Sequence, residues 1–360
     1  MTPKQLTLFP ERCECVDLAL AKISAGKIQP PNFTKFVREL GVHMTTGQPG
    51  KVIVVGVPNA VATKEVCSSL ADFFEEAKLH GFGSGNADLA TVEIPHALNL
   101  KVQHRQIAGV YTALPDSCVG HLHEPQFMLD FASGYARPNP MQQICGLITG
   151  RPANHYLVHN AHYLTPLGGS INDGINQVRF FIQLAAQSKK THVLFTNAST
   201  ACDWLSSGEI TNDVTAMWLK PYNRRDKAAF AEFKGILMGY QGVLPLEEDG
   251  VLVKHAKEIC DAVWGCTYRL KKWVINTLVS VRTRGGQQVT WDDFCQSPPS
   301  PKETAHAKEE FLAINAIKSP LVSLGTKPEE TVAKKRFGQT CLPGHRKLGR
   351  DPCGRQVTAA

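Results

Sequence analysis

The sequence has no apolar run approaching the roughly 20 residues that a membrane-spanning helix requires. Its opening stretch, MTPKQLTLFPERCECVD, lacks the basic-then-apolar layout of a secretory signal. Both absences lead to the expectation of an intracellular, cytoplasmic protein. A disordered composition is lacking too: 43% of residues are hydrophobic and 20% charged, enough to bury a core. No internal repeat is found. The 11 cysteines are scattered and odd in number, and neither Cys13-x-Cys15 nor any other pair has strong zinc spacing. They read as reduced, mostly structural thiols. At 360 residues the chain has room for one large domain with an appendage, or for two modest ones.

Net positive charge is almost absent from the body. Residues 334–360 hold Lys334, Lys335, Arg336, Arg346, Lys347, Arg350 and Arg355 against the single acid Asp351. That net of +6 accounts for nearly all of the chain's formal +7.

Apolar β-branched runs give four strands: VIVVG ending at Gly56, LATVEIP ending at Pro95, HYLVH at 155–159 and THVLFTN at 191–197. Between them lie helical patterns, among them KEVCSSLADFFEEAKLHG with a glycine stop at Gly81 and an amphipathic stretch near 174–188. A helix is also expected over LKVQHRQIAGVYTAL, and two short helices within 11–40, parted by prolines at 30–31. Strands alternating with helices imply a parallel sheet covered on both faces. From about 226 the pattern turns purely helical, and after WDDF a Pro/Ser linker leads to a short helix over about 305–317 and the basic tail.

A strand ending in glycine, then a loop and a helix, is the P-loop layout, in which backbone amides and a helix N-terminus cradle phosphates. The phosphate-binding residues themselves are missing. Against G-x-x-x-x-G-K-[ST] the chain reads Gly56-Val57-Pro58-Asn59-Ala60-Val61-Ala62-Thr63. Val61 replaces the second glycine and is ill suited to positive φ. Ala62 replaces the lysine, and Lys64 follows Thr63 instead of preceding it, about 100° round the helix.

Further on, Tyr156-Leu157-Val158 leads into His159-Asn160-Ala161-His162-Tyr163-Leu164. This resembles an I-D-E-A-H-x-L segment with both acids replaced. With VEIPHALNLKVQHRQIAGVYTAL, HVLFTNASTACDWL, PYNRRDKAAFAEFKGILMGYQGVLPL and GCTYRLKKWVINTLVSVRTRGGQQVTWDDF, residues 50–294 resemble the TnsC/TniB family of transposon AAA+ ATPases, relatives of the MuB and IstB target-selection proteins. The resemblance implies an α/β, P-loop AAA+ parallel sheet with helices on both faces and a C-terminal helical lid. The expected boundaries are an N-terminal helical segment at 1–45, the core at 46–225, the lid at 226–294, and a linker and basic tail at 295–360.

By this resemblance the nucleotide-site equivalents are Gly56, Pro58, Asn59, Val61, Ala62, Thr63, Lys64, His159, Asn160, the polar sensor residue Asn197 and the lid residue Arg269. The resemblance brings ATP and Mg²⁺ as cofactors, but the departures remove the phosphate-binding lysine, the Mg²⁺-anchoring Asp and the water-activating Glu. The basic residue expected near 211–215 is also absent from TNDVT. A nucleotide-free or weakly nucleotide-binding state is therefore expected, with no catalytic residue and no hydrolysis. A true ATPase that uses Lys64 or a lid base is the alternative.

The implied function is that of a DNA-transposition accessory protein of the bacterial cytoplasm and nucleoid. Its partners would be duplex DNA, transposase subunits, a target-selection protein, and copies of itself in a ring or helical filament. Lys101, His104 and Arg105, on one face of a helix, would touch the duplex backbone, or form a solvated basic face. The tail residues Lys334, Lys335, Arg336, Arg346, Lys347 and Arg350 would contact phosphates or dock a transposase, or merely solubilise the chain. A non-enzymatic adaptor joining an active paralogue to a transposase is the remaining reading. His155, His159 and His162 could be metal ligands, but polar filling of a vacated Mg²⁺ pocket is the favoured view, and no metal is expected. Arg224 and Arg225 have a lid-hinge surface pair as their default role. Cys341, His345 and Cys353 would make only a three-ligand zinc clip.

Overall fold

The structure, a computed structural model, describes residues 14–24, 28–46, 49–58, 63–81, 88–94, 140–165 and 170–316. These described residues all fall within one compact unit. In order, the described elements are α1 (Glu14–Ser24), α2 (Pro31–Thr45), β1 (Val52–Val57), α3 (Thr63–Leu79), β2 (Leu89–Glu93), α4 (Pro140–Thr149) and β3 (His155–His159). After a 3₁₀ turn at Ala161–Leu164 come α5 (Ile171–Ser188), β4 (Thr191–Asn197), α6 (Ala198–Ser206) and β5 (Val214–Trp218). The remaining helices are α7 (Lys227–Gln241), α8 (Val251–Lys254), α9 (Ala256–Val263), α10 (Thr267–Thr283), α11 (Trp291–Gln296) and α12 (Pro301–Ala316). None is long and apolar enough to cross a membrane.

The five strands form one sheet in the order β2-β3-β4-β1-β5, and every pairing is parallel. A strand buried on both faces can be apolar at every position, and β1, VIVVGV, is buried throughout. The two-residue period sends Val52 and Val54 to one face, where they meet Ile144 and Ile148 of α4, Phe181 of α5 and Trp204 of α6. Ile53, Val55 and Val57 go to the other face, against Phe36 and Leu40 of α2 and Val66, Leu70 and Phe74 of α3. Helices thus cover both faces, as the alternating pattern predicts.

A second apolar cluster lies among the C-terminal helices, with Phe233, Leu237, Leu270, Trp273, Val274 and Phe294 at its centre. Val16, Ala19 and Ile23 of α1 belong to this cluster, and Arg282 of α10 pairs with Asp17 at 3.0 Å. The two N-terminal helices therefore divide: α1 packs on the lid, and α2 on the sheet. The architecture is a parallel α/β sheet covered on both faces, with a helical subdomain C-terminal to it.

Candidate functional site

In a parallel sheet the C-terminal strand ends, where the order of strands changes direction, form the natural crevice. Here that crevice lies at the ends of β1, β3 and β4. Gly56 sits between Thr196 and Trp218 in the register. A Cβ on Gly56 would stand 2.3 Å from the Trp218 ring, so glycine is required there for packing, independently of any phosphate. Pro58 and Thr63 flank the loop and are buried. Asn59, Val61 and Ala62 lie outside the described residues, as does the side chain of Lys64.

His159 ends β3, 7% exposed, with its ring stacked on Phe195 of β4 at 5.6 Å. Its Nε2 lies 3.1 Å from Sγ of Cys67, one turn into α3. Burial pushes the Cys67 thiol up to about 12, so the sulfur is a neutral thiol. Asn160 follows in the left-handed region at φ 56, and its Nδ2 donates to Oε1 of Glu93 at 3.1 Å. Glu93 and His159 are register partners across β2 and β3. Both positions at which the sequence pattern wants acids are thus held by neighbouring side chains.

This donor set does not fit Mg²⁺. That cation is hard, dehydrates reluctantly and takes oxygen ligands, chiefly carboxylates and phosphates. The end of β3 offers it an imidazole beside a thiol, and an amide nitrogen turned toward the nearest carboxylate. Nor are the three histidines brought together. His155 begins β3 and His159 ends it, roughly 13 Å along the strand. Among the described residues no three His, Cys, Asp or Glu side chains gather as metal ligands.

Asn197 is beside Val57 in the register, at the crevice where the sequence pattern puts a polar sensor. Its side-chain oxygen accepts from the Thr200 amide at 2.8 Å and from the Ser199 hydroxyl at 3.1 Å, capping α6. Arg269 is directed to α12. It is 6% exposed, and its guanidinium donates to the Glu303 carbonyl at 2.8 Å and to Oε2 of Glu310 at 3.1 Å. The lid cation that touches α3 is Lys271, which bonds Glu65 at 2.7 Å. Arg224 pairs with Asp261 on the surface. Lys101, His104 and Arg105 lie outside the described residues, as do Lys334, Lys335, Arg336, Arg346, Lys347 and Arg350.

A cleft of about 370 Å³ opens beside this crevice, between the start of α2, the end of β1, the first turns of α3 and the start of α10. Its lining carries both charge signs, with Lys220 and Lys271 alongside Glu65 and Asp72. Asn32 braces one wall: its amide nitrogen donates to the Lys220 carbonyl at 2.7 Å, and its backbone N–H to the Tyr222 hydroxyl at 3.1 Å. Sequence reasoning missed Cys67, Glu93, Asn32 and Glu310. Only Cys67 had a legible signal, because it lies four residues after Thr63 on the same helix face.

No family model matches the chain, and no curated protein does. Solved structures with a similar course include one titled "Structure of Drosophila ORC bound to DNA", at 13% identity and a TM-score of 0.46, covering 91% of this chain and 85% of that one. The Aeropyrum pernix ORC2 protein, in its ADPNP–ADP complexes, aligns at 10% identity and 0.41, covering 81% and 70%. Cdc6p from Pyrobaculum aerophilum aligns at 10% and 0.43, covering 81% and 69%.

Proposed function

We propose that this chain is a transposition accessory protein of the TnsC/TniB type. It assembles on duplex DNA as a ring or helical filament, and it links a target-selection protein to a transposase without hydrolysing ATP. The observation that carries the second half is the His159–Cys67 contact at 3.1 Å, stacked on Phe195, at the place where a hydrolytic site needs its Mg²⁺-holding carboxylate. The first half rests on the order and spacing of the motifs over 50–294. The open cleft supports weak nucleoside or nucleotide binding uncoupled from turnover.

In this reading DNA affinity is set by phosphate contacts from Lys101, His104, Arg105 and the basic tail, and so by salt and partners. Six such contacts would lower affinity by about 10³-fold between 50 and 200 mM salt. The test combines binding of a fluorescent ATP analogue with Mg²⁺, turnover, and duplex retention across that salt range. The expected result is no Mg²⁺-dependent turnover, with steep salt dependence that ATP leaves unchanged. Turnover abolished by Lys64→Ala would establish the non-standard ATPase instead. Retention unchanged by Lys101→Ala with Arg105→Ala and loss of 334–360 would leave an adaptor that does not itself hold DNA.

A further inference from the structure

The last described helix, α12, is fastened to the lid at its first turn and again near Glu310 and Phe311, and also packs on α6 of the sheet layer. Its start is a capping box: the Ser300 backbone N–H donates to Glu303 at 3.0 Å, and Glu303 N–H returns to the Ser300 hydroxyl at 3.2 Å. The same Glu303 accepts from Lys272 of α10 at 2.6 Å, and its carbonyl from Arg269 at 2.8 Å. Hydrogen bonds from Lys272 and from the Ser300 backbone and hydroxyl hold the Glu303 carboxyl down at about 2.

At the next residue, the Thr304 hydroxyl donates to the Ala262 carbonyl of α9 at 3.4 Å, and two turns beyond it Phe311 packs on Trp264 at 5.6 Å. Buried beneath, Glu310 is 1% exposed and takes the Arg269 guanidinium. His306 lies 3.5 Å from its other oxygen. The helix otherwise buries little: Ala307 and Ile314 are its buried apolar residues. A helix with so narrow an apolar stripe is held chiefly by its polar clamp.

One of the elements it joins lines the cleft, and the other, α6, belongs to the sheet layer that forms the cleft's opposite wall through β1 and α3. The lid helix α10 supplies Lys271 to one side of that cleft, and α6 begins at Asn197, at the end of β4. We propose that α12 is an intramolecular strap that fixes the angle of the lid to the sheet, with Arg269 and Glu310 as its buried clamp. The lid's position is then a property of the chain itself, and no bound ligand is required to close it.

The test reads a distance that α12 does not touch. Zero-length carbodiimide coupling of Lys271 to Glu65, 2.7 Å apart in the closed arrangement, is quantified by peptide mass spectrometry in the full chain. Glu310→Gln weakens the clamp, and Phe311→Ala removes a contact at its rim. The strap predicts that coupling falls about tenfold in Glu310→Gln and in the same direction in Phe311→Ala, while each melts cooperatively. Coupling unchanged in folded variants would overturn it and make α12 a passive appendage. Should Glu310→Gln not fold, Phe311→Ala and Glu303→Ala decide the matter on the same readout.

Discussion

Replacing Gly265 by alanine tests the turn that forms the lid side of the cleft. Trp264 and Gly265 are both left-handed, at φ 50 and φ 67, and close the C-terminus of α9, with the Gly265 N–H on the Cys260 carbonyl at 3.0 Å. A Cβ on Gly265 would lie 1.8 Å from the Tyr222 carbonyl oxygen and 2.8 Å from its nitrogen, and backbone cannot swing aside as a side chain can. The left-handed conformation alone costs about 1–2 kcal/mol for alanine. Displacing Tyr222 breaks its N–H bond to the Gly265 carbonyl, about 1 kcal/mol more, and repacking a 3% exposed aromatic adds roughly 1–3. The expected loss is about 3–6 kcal/mol. Gly250→Ala supplies the control. It sits at φ 82 with nothing within 4 Å of the added carbon, so it isolates the conformational part. Urea unfolding followed by circular dichroism would put Gly265→Ala about 1.5–3 M below wild type for an m-value near 2 kcal/mol/M. If the two alanine variants unfold within about 1 kcal/mol of each other, the backbone clash is not there and the account of this turn is wrong.

Truncating either side of the Arg269–Glu310 pair, as Arg269→Met or Glu310→Met, should cost about 3–5 kcal/mol. The double methionine variant should be close to wild type, and strict additivity in a urea cycle would refute the pairing. Asn197→Ala should lose about 1 kcal/mol through its helix cap, with Asn197→Ser retaining most of it; a loss of function with no loss of stability would show a role beyond capping. Burial lowers His155 to about 4, with Asp88 opposing, and His192 to about 3. Both pKa values are depressed on folding, so their stabilisation is present above the ordinary value of 6.5. It is lost as pH falls from there toward 4 and 3. Urea midpoints from pH 7.5 to 4.5 should therefore decline, and a His192→Gln variant should decline less steeply; a parallel decline would refute the assignment.

The sequence resolves the strands buried on both faces, and also the edge strand β2, where LATVEIP alternates buried and more exposed positions. VIVVG, HYLVH and THVLFTN became β1, β3 and β4 almost residue for residue, because unbroken β-branched and aromatic runs leave little else to form. Edge strand β5, Val214–Trp218, went unread: its residues are mostly half-buried, and Thr215 and Ala216 break the apolar run. The helix α6 was hidden behind β4, since Asn197 both ends the strand and caps the helix. VLVKHAKEICDAV reads as one helix but is two, joined at His255.

For the site, absence was legible and replacement was not. The missing lysine and acids are visible in single letters. Yet Cys67 and His159 stand 92 positions apart, and only folding makes them neighbours. Arg269 shows the same limit: its spacing fits a lid residue facing a nucleotide, whereas its partner Glu310 lies 41 residues further on, in a segment the motif does not include.

The packing of His159 also constrains how this protein can change over time. Histidine and aspartate codons differ by a single base, so a carboxylate at position 159 is one mutation away. The neighbourhood is not. A carboxylate there would be buried against the Phe195 ring and a protonated thiol, where an uncompensated charge costs several kcal/mol. An acid at position 159 would require Cys67 to change with it, each step harmful without the other. Under the proposed function, the side chains packed at the end of β3 act as a ratchet that keeps an acid from position 159.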